Sequence, residues 1–335
     1  MTDSPFQPLP GAPLRELAAR RGIRIGTALD HALLDGASPY VAVAAGQFNS
    51  VTTENALKWD HTEYPKGVLS WERADRIVSF ARAHDQRVRG HALVWHRQNP
   101  AWVSEDEQSP AELRALIRDR IAVTVGRYAG SIACWDVVNE PLEWDGSYRE
   151  SLWHKALGPG YVAEALHWAR QADPAAKLYI NDYEVESLCP KSDALYALAK
   201  QLLLNGVPLD GIGFQAHLVL GRIPTDLEAN LRRFADLGLD VAITELDIRV
   251  HLPADEARLA QQAEEYASVV RTCLRVPRCQ ELTLWGFTDA LSWIPAEYPE
   301  YGAAAILDDG YAPKPAYHAV ASVLGETEGR RPGRP

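Results

Sequence analysis

Residues 132–140 read IACWDVVNE, an apolar, β-rich run that stops on an amide and a carboxylate, Asn139 and Glu140. The same design recurs along the chain. Residues 23–29 (IRIGTAL) run into Asp30, and residues 47–52 into Thr53, Glu54 and Asn55, with Lys58 and Trp59 next. Residues 87–95 carry His91 and Trp95, with His96 following, and residues 177–180 lead into Asn181, Asp182 and Tyr183. Residues 211–216 carry Gln215 ahead of His217, residues 241–245 end on Glu245 ahead of Asp247, and residues 282–287 carry Trp285 ahead of Asp289 and Trp293. Such runs read as strands. Between them lie amphipathic stretches at 110–128, 161–172, 191–204, 226–237 and 257–274, with the helical spacing of apolar residues. Eight strands alternating with helices over about 300 residues predict a (β/α)₈ barrel, with a doubly wound sheet as the alternative.

The rest of the composition agrees with one soluble domain. No Gly/Ser or Pro-rich linker divides the middle of the 335 residues. The Pro-rich start (1–13) and the basic end (326–335) read as loose segments around a barrel at 14–325. A net charge of −11 speaks against nucleic acid and against an anionic membrane as partners. Its apolar stretches are too short to span a bilayer. The opening residues have no apolar core behind a basic start, so they do not read as a secretory signal, and location stays open.

In a barrel of this kind the strand C-termini deliver the chemistry. Nearly every one here ends on a polar or aromatic group. Glu140 and Glu245 close strands four and seven, which face each other across the mouth. Two opposed carboxyl groups suit glycoside hydrolysis, one protonated to assist the leaving oxygen and one ionised to attack the anomeric carbon. Side chains alternate along a strand, so Gln215 and His217 share a face, as do Glu245 and Asp247. Gln215 or His217 is placed to hydrogen-bond Glu245, Asp247 to fix the tautomer of His217, and Asn139 to hold a sugar hydroxyl. Asp136 and Asp182 read as buried structural charges. Two G-x-G-x-x-A matches (158–163 and 211–216) do not open a helix after a strand, and no P-loop, G-x-S-x-G or H-E-x-x-H occurs. His91 and His96 have no usual zinc spacing. No metal or organic cofactor is expected.

Taken together, WDVVNE (135–140), TELD (244–247), FNSVTTENALKW (48–59), RGHALVWH (89–96), YINDYEVE (179–186), GIGFQAHL (211–218) and LWGFTDALSW (284–293) resemble glycoside hydrolase family 10 over almost the whole chain. The resemblance implies a barrel that hydrolyses internal bonds of β-1,4-xylan with retention, acting on xylan and xylo-oligosaccharides as a monomer. By the same resemblance Glu140 matches the acid/base and Glu245 the nucleophile. Glu54, Asn55 and Lys58 match the residues that bind the second sugar toward the non-reducing end. Lys58, His91, Trp95, Asn139, Gln215, His217, Trp285 and Trp293 surround the sugar whose bond is cut, and Tyr183 lies on the leaving-group side. Secreted members often join a close cysteine pair, which here implies Cys273–Cys279. Two stretches depart from the family pattern, Ala290-Leu291-Ser292 and the acidic, aromatic loop 294–301. The alternatives are another retaining β-glycosidase, acting on glucan or aryl glycosides, and a barrel that binds sugar without cleaving it.

Overall fold

Short β-rich runs with one apolar side can bury it only by layering against something else, and these strands do so by closing on themselves beneath a coat of helices. A computed structural model describes residues 9–326. The loose ends expected at 1–13 and 326–335 therefore lie largely outside the described residues; within them, Leu9 packs against the core. The barrel strands are, in order, Arg24–Ala28, Ser50–Thr52, Arg87–Gly90, Cys134–Asn139, Lys177–Asp182, Gly211–Phe214, Asp240–His251 and Cys279–Leu284. Each pairs in parallel with the next. The first also pairs with the eighth, Arg24 opposite Glu281 and Thr27 opposite Leu284. That closure rules out an open doubly wound sheet.

The helices start where capping chemistry allows. Helix Pro110–Arg127 has Pro in its first turn and a reciprocal Ser109–Glu112 capping box. It buries Leu113, Ile117, Ile121 and Val125, one per turn along a single stripe. Each such side chain contributes about 1.5–3 kcal/mol by leaving water. Helix Glu256–Arg275 is capped by Asp255, which accepts from Arg258 N. Helices Tyr161–Ala172, Pro190–Leu204 and Leu227–Asp236 complete the stretches predicted above.

Several boundaries differ from the sequence reading. Residue 47 ends helix Pro39–Gln47 rather than opening the second strand. The third strand stops at Gly90, not at 95; Leu93 and Val94 rejoin only through backbone bonds to Asp136 and Val137. The eighth lies earlier than predicted and ends before Gly286, whose φ of +89° turns the chain. The seventh runs on past the barrel rim to His251, where His217–Val219 and Tyr301–Gly302 add to it.

Inside the barrel the packing is mixed in polarity. Arg89, 1% exposed, reaches Asp136 at 2.7 Å and Glu281 at 3.8 Å, with Tyr179 4.5 Å from its guanidinium. The sixth strand makes room for the fifth. A Cβ on Gly211 would lie 2.3 Å from the Tyr179 ring, and one on Gly213 would lie 2.2 Å from Asn181 Oδ1. Only glycine fits there. At the N-terminal end of the eighth strand Cys279 is disulfide-bonded to Cys273, with Cα atoms 5.3 Å apart. Cys134 is free and buried, with Arg89 Nη1 at 3.5 Å from its sulfur.

Candidate active site

Strand four carries the chain to the barrel mouth and then turns it sharply. Glu140 has φ +56°, the left-handed region, which a non-glycine residue adopts at a cost and keeps only when held. Its N–H donates to Asn181 O at 2.8 Å, and its carbonyl accepts from Arg149 Nε at 3.0 Å. The side chain thus projects into the cleft. Gln215 Nε2 donates to Glu140 Oε1 at 3.1 Å and Asn139 Nδ2 at 3.3 Å, while His96 Nδ1 stands 3.6 Å from Oε2. Burial holds the His96 imidazole down at about 4 despite the Glu140 charge, so it is neutral near pH 7.

Glu245 sits deeper, on strand seven. Asn181 Nδ2 donates to its Oε1 at 2.7 Å and His217 Nε2 meets its Oε2 at 3.2 Å. His91 Nδ1 lies 3.9 Å away. Burial alone would raise this carboxyl, but the hydrogen bond from His217 and the charges of His91 and His217 outweigh it, so Glu245 is held below the ordinary carboxylate range. His217 is in turn sandwiched. Its Nδ1 is 2.9 Å from Asp247 Oδ2, which also accepts from Trp293 Nε1 at 2.8 Å. Burial would lower the imidazole; Asp247 and Glu245 reverse this and push it up to about 10, so His217 is an imidazolium in the working range.

Asn181 joins the two halves, since its Nδ2 also reaches Asn139 Oδ1 at 2.9 Å and its Oδ1 accepts from Thr244 Oγ1 at 2.6 Å. A continuous polar chain therefore runs Glu140–Asn139–Asn181–Glu245.

The cleft around these groups has a volume of about 350 Å³ and is lined by Glu54, Asn55, Lys58, His91, Trp95, Asn139, Glu140, Tyr183, Gln215, His217, Glu245, Trp285 and Trp293. Asp247 stands behind His217. On one side Lys58 Nζ bonds Asn55 Oδ1 at 2.8 Å and lies 4.7 Å from the Trp95 ring, and Asn55 Nδ2 bonds Glu54 Oε1 at 3.1 Å. Burial, then the Asp30 charge, raises Glu54; burial lowers Lys58 against the pull of Glu245, Glu54 and Glu140. Trp285 and Trp293 stand against His217 with ring centres 6.1 and 4.9 Å away, making an aromatic wall. On the other side Tyr183 is fixed by Arg149 Nη2 to its hydroxyl at 3.0 Å and by Lys191 Nζ to its carbonyl at 2.8 Å.

Some sequence expectations need correcting. Gln215 and His217 do not share a face, because a left-handed residue at Ala216 (φ +60°) separates their directions; of the two it is His217 that bonds Glu245, while Gln215 bonds Glu140. Asn139 lines the cleft, its amide donating to Glu140 and its oxygen accepting from Asn181. Asp136 and Asp182 do form buried ion pairs, with Arg89 and with Lys191, the latter at 2.8 Å. Asp136 has a second task, holding His91 Nδ1 at 3.0 Å. Burial pushes Asp182 up to about 7, against the lowering effect of Lys191. Asn181, Arg149 and Thr244 went unassigned in the sequence, as did Arg97, Glu184, Arg249, Glu297 and Tyr298 on the cleft wall. Loop 294–301, singled out as unusual, supplies the last two. For Asn181 a signal existed: a polar residue in the inward period of an otherwise apolar strand.

Comparison with known proteins places this geometry in a lineage. The model of glycosyl hydrolase family 10 matches residues 13–323. An endo-1,4-beta-xylanase of Agaricus bisporus is 43% identical over 310 residues, 92% of this chain and 93% of that one. Endo-1,4-beta-xylanase B of Thermotoga neapolitana is 41% identical over 318 residues, 94% and 92% of the two chains. Among solved structures, native xylanase 10B of Thermotoga maritima superposes with a TM-score of 0.91 at 41% identity, over 93% of this chain and 98% of that one. Xylanase 10B of Thermotoga petrophila, solved with xylobiose, gives 0.91 at 39% identity, over 95% and 98%. With the closed barrel, the carboxylate pair and this match along nearly its full length, the chain belongs to glycosyl hydrolase family 10.

Proposed function

We propose that the protein is an endo-1,4-β-xylanase that cleaves internal xylosidic bonds with retention, working as a monomer whose cleft is built wholly from one chain. The observation that carries this reading is the contrast between the two carboxyl groups. Glu245 is buried, ionised and fed by two donors, as a nucleophile needs. Glu140 faces the cleft, where an acid must reach the departing oxygen. In the first step Glu140 gives its proton to the glycosidic oxygen while Glu245 attacks the anomeric carbon, forming a glycosyl ester and releasing the leaving half. In the second, Glu140 takes a proton from water, whose oxygen displaces Glu245 and restores both groups. His217 and Asn181 hold the charge on Glu245 at the start and on its release. Lys58, Asn55 and Glu54 bind the next sugar, Trp285 and Trp293 wall the reacting one, and Tyr183 carries the first leaving-group sugar. The names of the relatives support xylan as the substrate, and xylobiose bound in the Thermotoga petrophila enzyme supports xylo-oligosaccharides as ligands.

Proton NMR of fresh products from xylohexaose tests this, with wild type run beside Glu245→Gln. The reading expects β-anomer first, from internal cleavage, and none from the variant. Early α-anomer means inversion and defeats the covalent route. Faster turnover of carboxymethylcellulose than of xylan moves the assignment to a β-glucanase.

A further inference from the structure

Ala216 lies between the side chains that address the two carboxylates, Gln215 toward Glu140 and His217 toward Glu245. The strand cannot do this while it stays regular, because residues two apart then point the same way. The register confirms the break. Phe214 pairs with Ile243 and His217 with Asp247, so three steps along one strand match four along its neighbour. The left-handed backbone of Ala216, φ +60°, absorbs the difference. An alanine holds that conformation only where its surroundings impose it. Its carbonyl accepts from Asp247 N at 3.3 Å. Its N–H donates to Glu186 Oε1 at 2.7 Å.

Glu186 comes from the loop after the fifth strand and is 5% exposed. No ion pair within 4.0 Å engages it among the described residues; the opposing charges that act on it are those of His217 and Lys191. A buried carboxyl is costly to keep, and here its hydrogen bond goes to the one backbone amide on which the reversal depends. We propose that Glu186 is a positioning residue: by gripping the Ala216 N–H it fixes the turn that sends Gln215 to one carboxylate and His217 to the other. The inference rests on the glycosidase reading of that pair.

The test compares Glu186→Gln, Glu186→Asp and Glu186→Ala, each referred to folded protein by urea titration. Gln keeps an oxygen acceptor at the same reach and should stay within about threefold of wild type. Ala removes the grip. Displacing a group next to the chemistry by about 1 Å costs on the order of 100-fold, so kcat should fall about 10- to 100-fold with KM little changed. The acidic limb of kcat/KM should move to higher pH as His217 leaves Glu245, whose other charged neighbours, His91, Asp136 and Lys58, are untouched. Asp keeps the charge but shortens the reach and should fall between. If Ala fails to fold, the Asp–Gln comparison decides. Gln as impaired as Ala, or Ala and Asp with wild-type kcat and limbs, overturns the proposal. A readout without turnover separates this from the glycosidase reading: the His217 ring titration followed by NMR should move further downward in Glu186→Ala than in Glu186→Gln, which removes the same charge but keeps the grip, and equal titrations in the two variants refute the grip even if no glycoside is cleaved.

Discussion

Replacing His217 with Gln isolates the contribution of one charge. Gln leaves an amide donor near Glu245 but no cation between Glu245 and Asp247. In the wild type the imidazole is held at about 10 against an ordinary 6.5, which corresponds to roughly 5 kcal/mol of preference for the charged form. Two carboxylates share that preference, so the bond to Glu245 alone carries about 1.5–3 kcal/mol, the range for hydrogen bonds to charged groups. The expected loss in kcat/KM is therefore about 10- to 100-fold. Glu245 loses the contact that most lowers it, so it is protonated at higher pH and the acidic limb shifts upward. An aryl β-xylobioside with a good leaving group is the right substrate, since its first step needs little help from Glu140. Stability gives a second reading with a definite sign. A group raised on folding stabilises fully below its unfolded value and loses that contribution as pH climbs through the folded one. The gap between wild type and variant should be fully present near pH 6 and shrink toward pH 10. An acidic limb that stays put, or a gap equal at both pH values, would refute the assignment of His217 as the charged support of Glu245.

Glu140→Ala should lose about 10²- to 10⁴-fold on xylan but much less on the activated aryl substrate, read from parallel kcat/KM values; equal losses would move the acid to another residue. Lys191→Met leaves Asp182 buried without its cation. It should unfold about 3 kcal/mol more easily in urea and raise KM, because Tyr183 loses the Nζ contact on its carbonyl. Converting Cys273 and Cys279 together to Ser opens a loop with a sequence separation of 6. That should cost about 2 kcal/mol in the chain-entropy picture, seen as a lower urea midpoint with kcat unchanged.

Much of this site could be read along the chain because a barrel turns order into position. Each apolar run ends at the same rim, so Glu54, His91, Glu140, Tyr183, His217, Glu245 and Trp285, scattered over more than two hundred residues, line one cleft. What could not be read was anything that depended on a departure from strand regularity. No residue type announces a left-handed alanine, so nothing along the chain decides which of Gln215 and His217 reaches Glu245. The early end of the third strand had the same cause, since local β-propensity continues through 91–95 while the chain turns away. Asn181 was visible at the end of the fifth run but was given no role. Its importance lies in strand five standing between strands four and seven, a long-range relation. Arg149 fixes Glu140 from a loop nine residues on, where a lone arginine carries no pattern.

The glycines of the sixth strand have a further consequence, for how this enzyme can change over generations. Gly213 and Asn181 divide one space between them, and only one of the two can be large. A bulkier residue at 213 becomes tolerable only after 181 has shrunk and Thr244, whose Cγ2 would lie 2.9 Å from the new Cβ, has given way, and shrinking 181 strips Glu245 of a donor. Either order of substitution crosses a weakened intermediate. The two sites should therefore behave as a ratchet. In a library randomised at both, functional clones should keep the present pairing, and recombination that brings strand five from one relative and strand six from another should succeed only where the parents agree on this division.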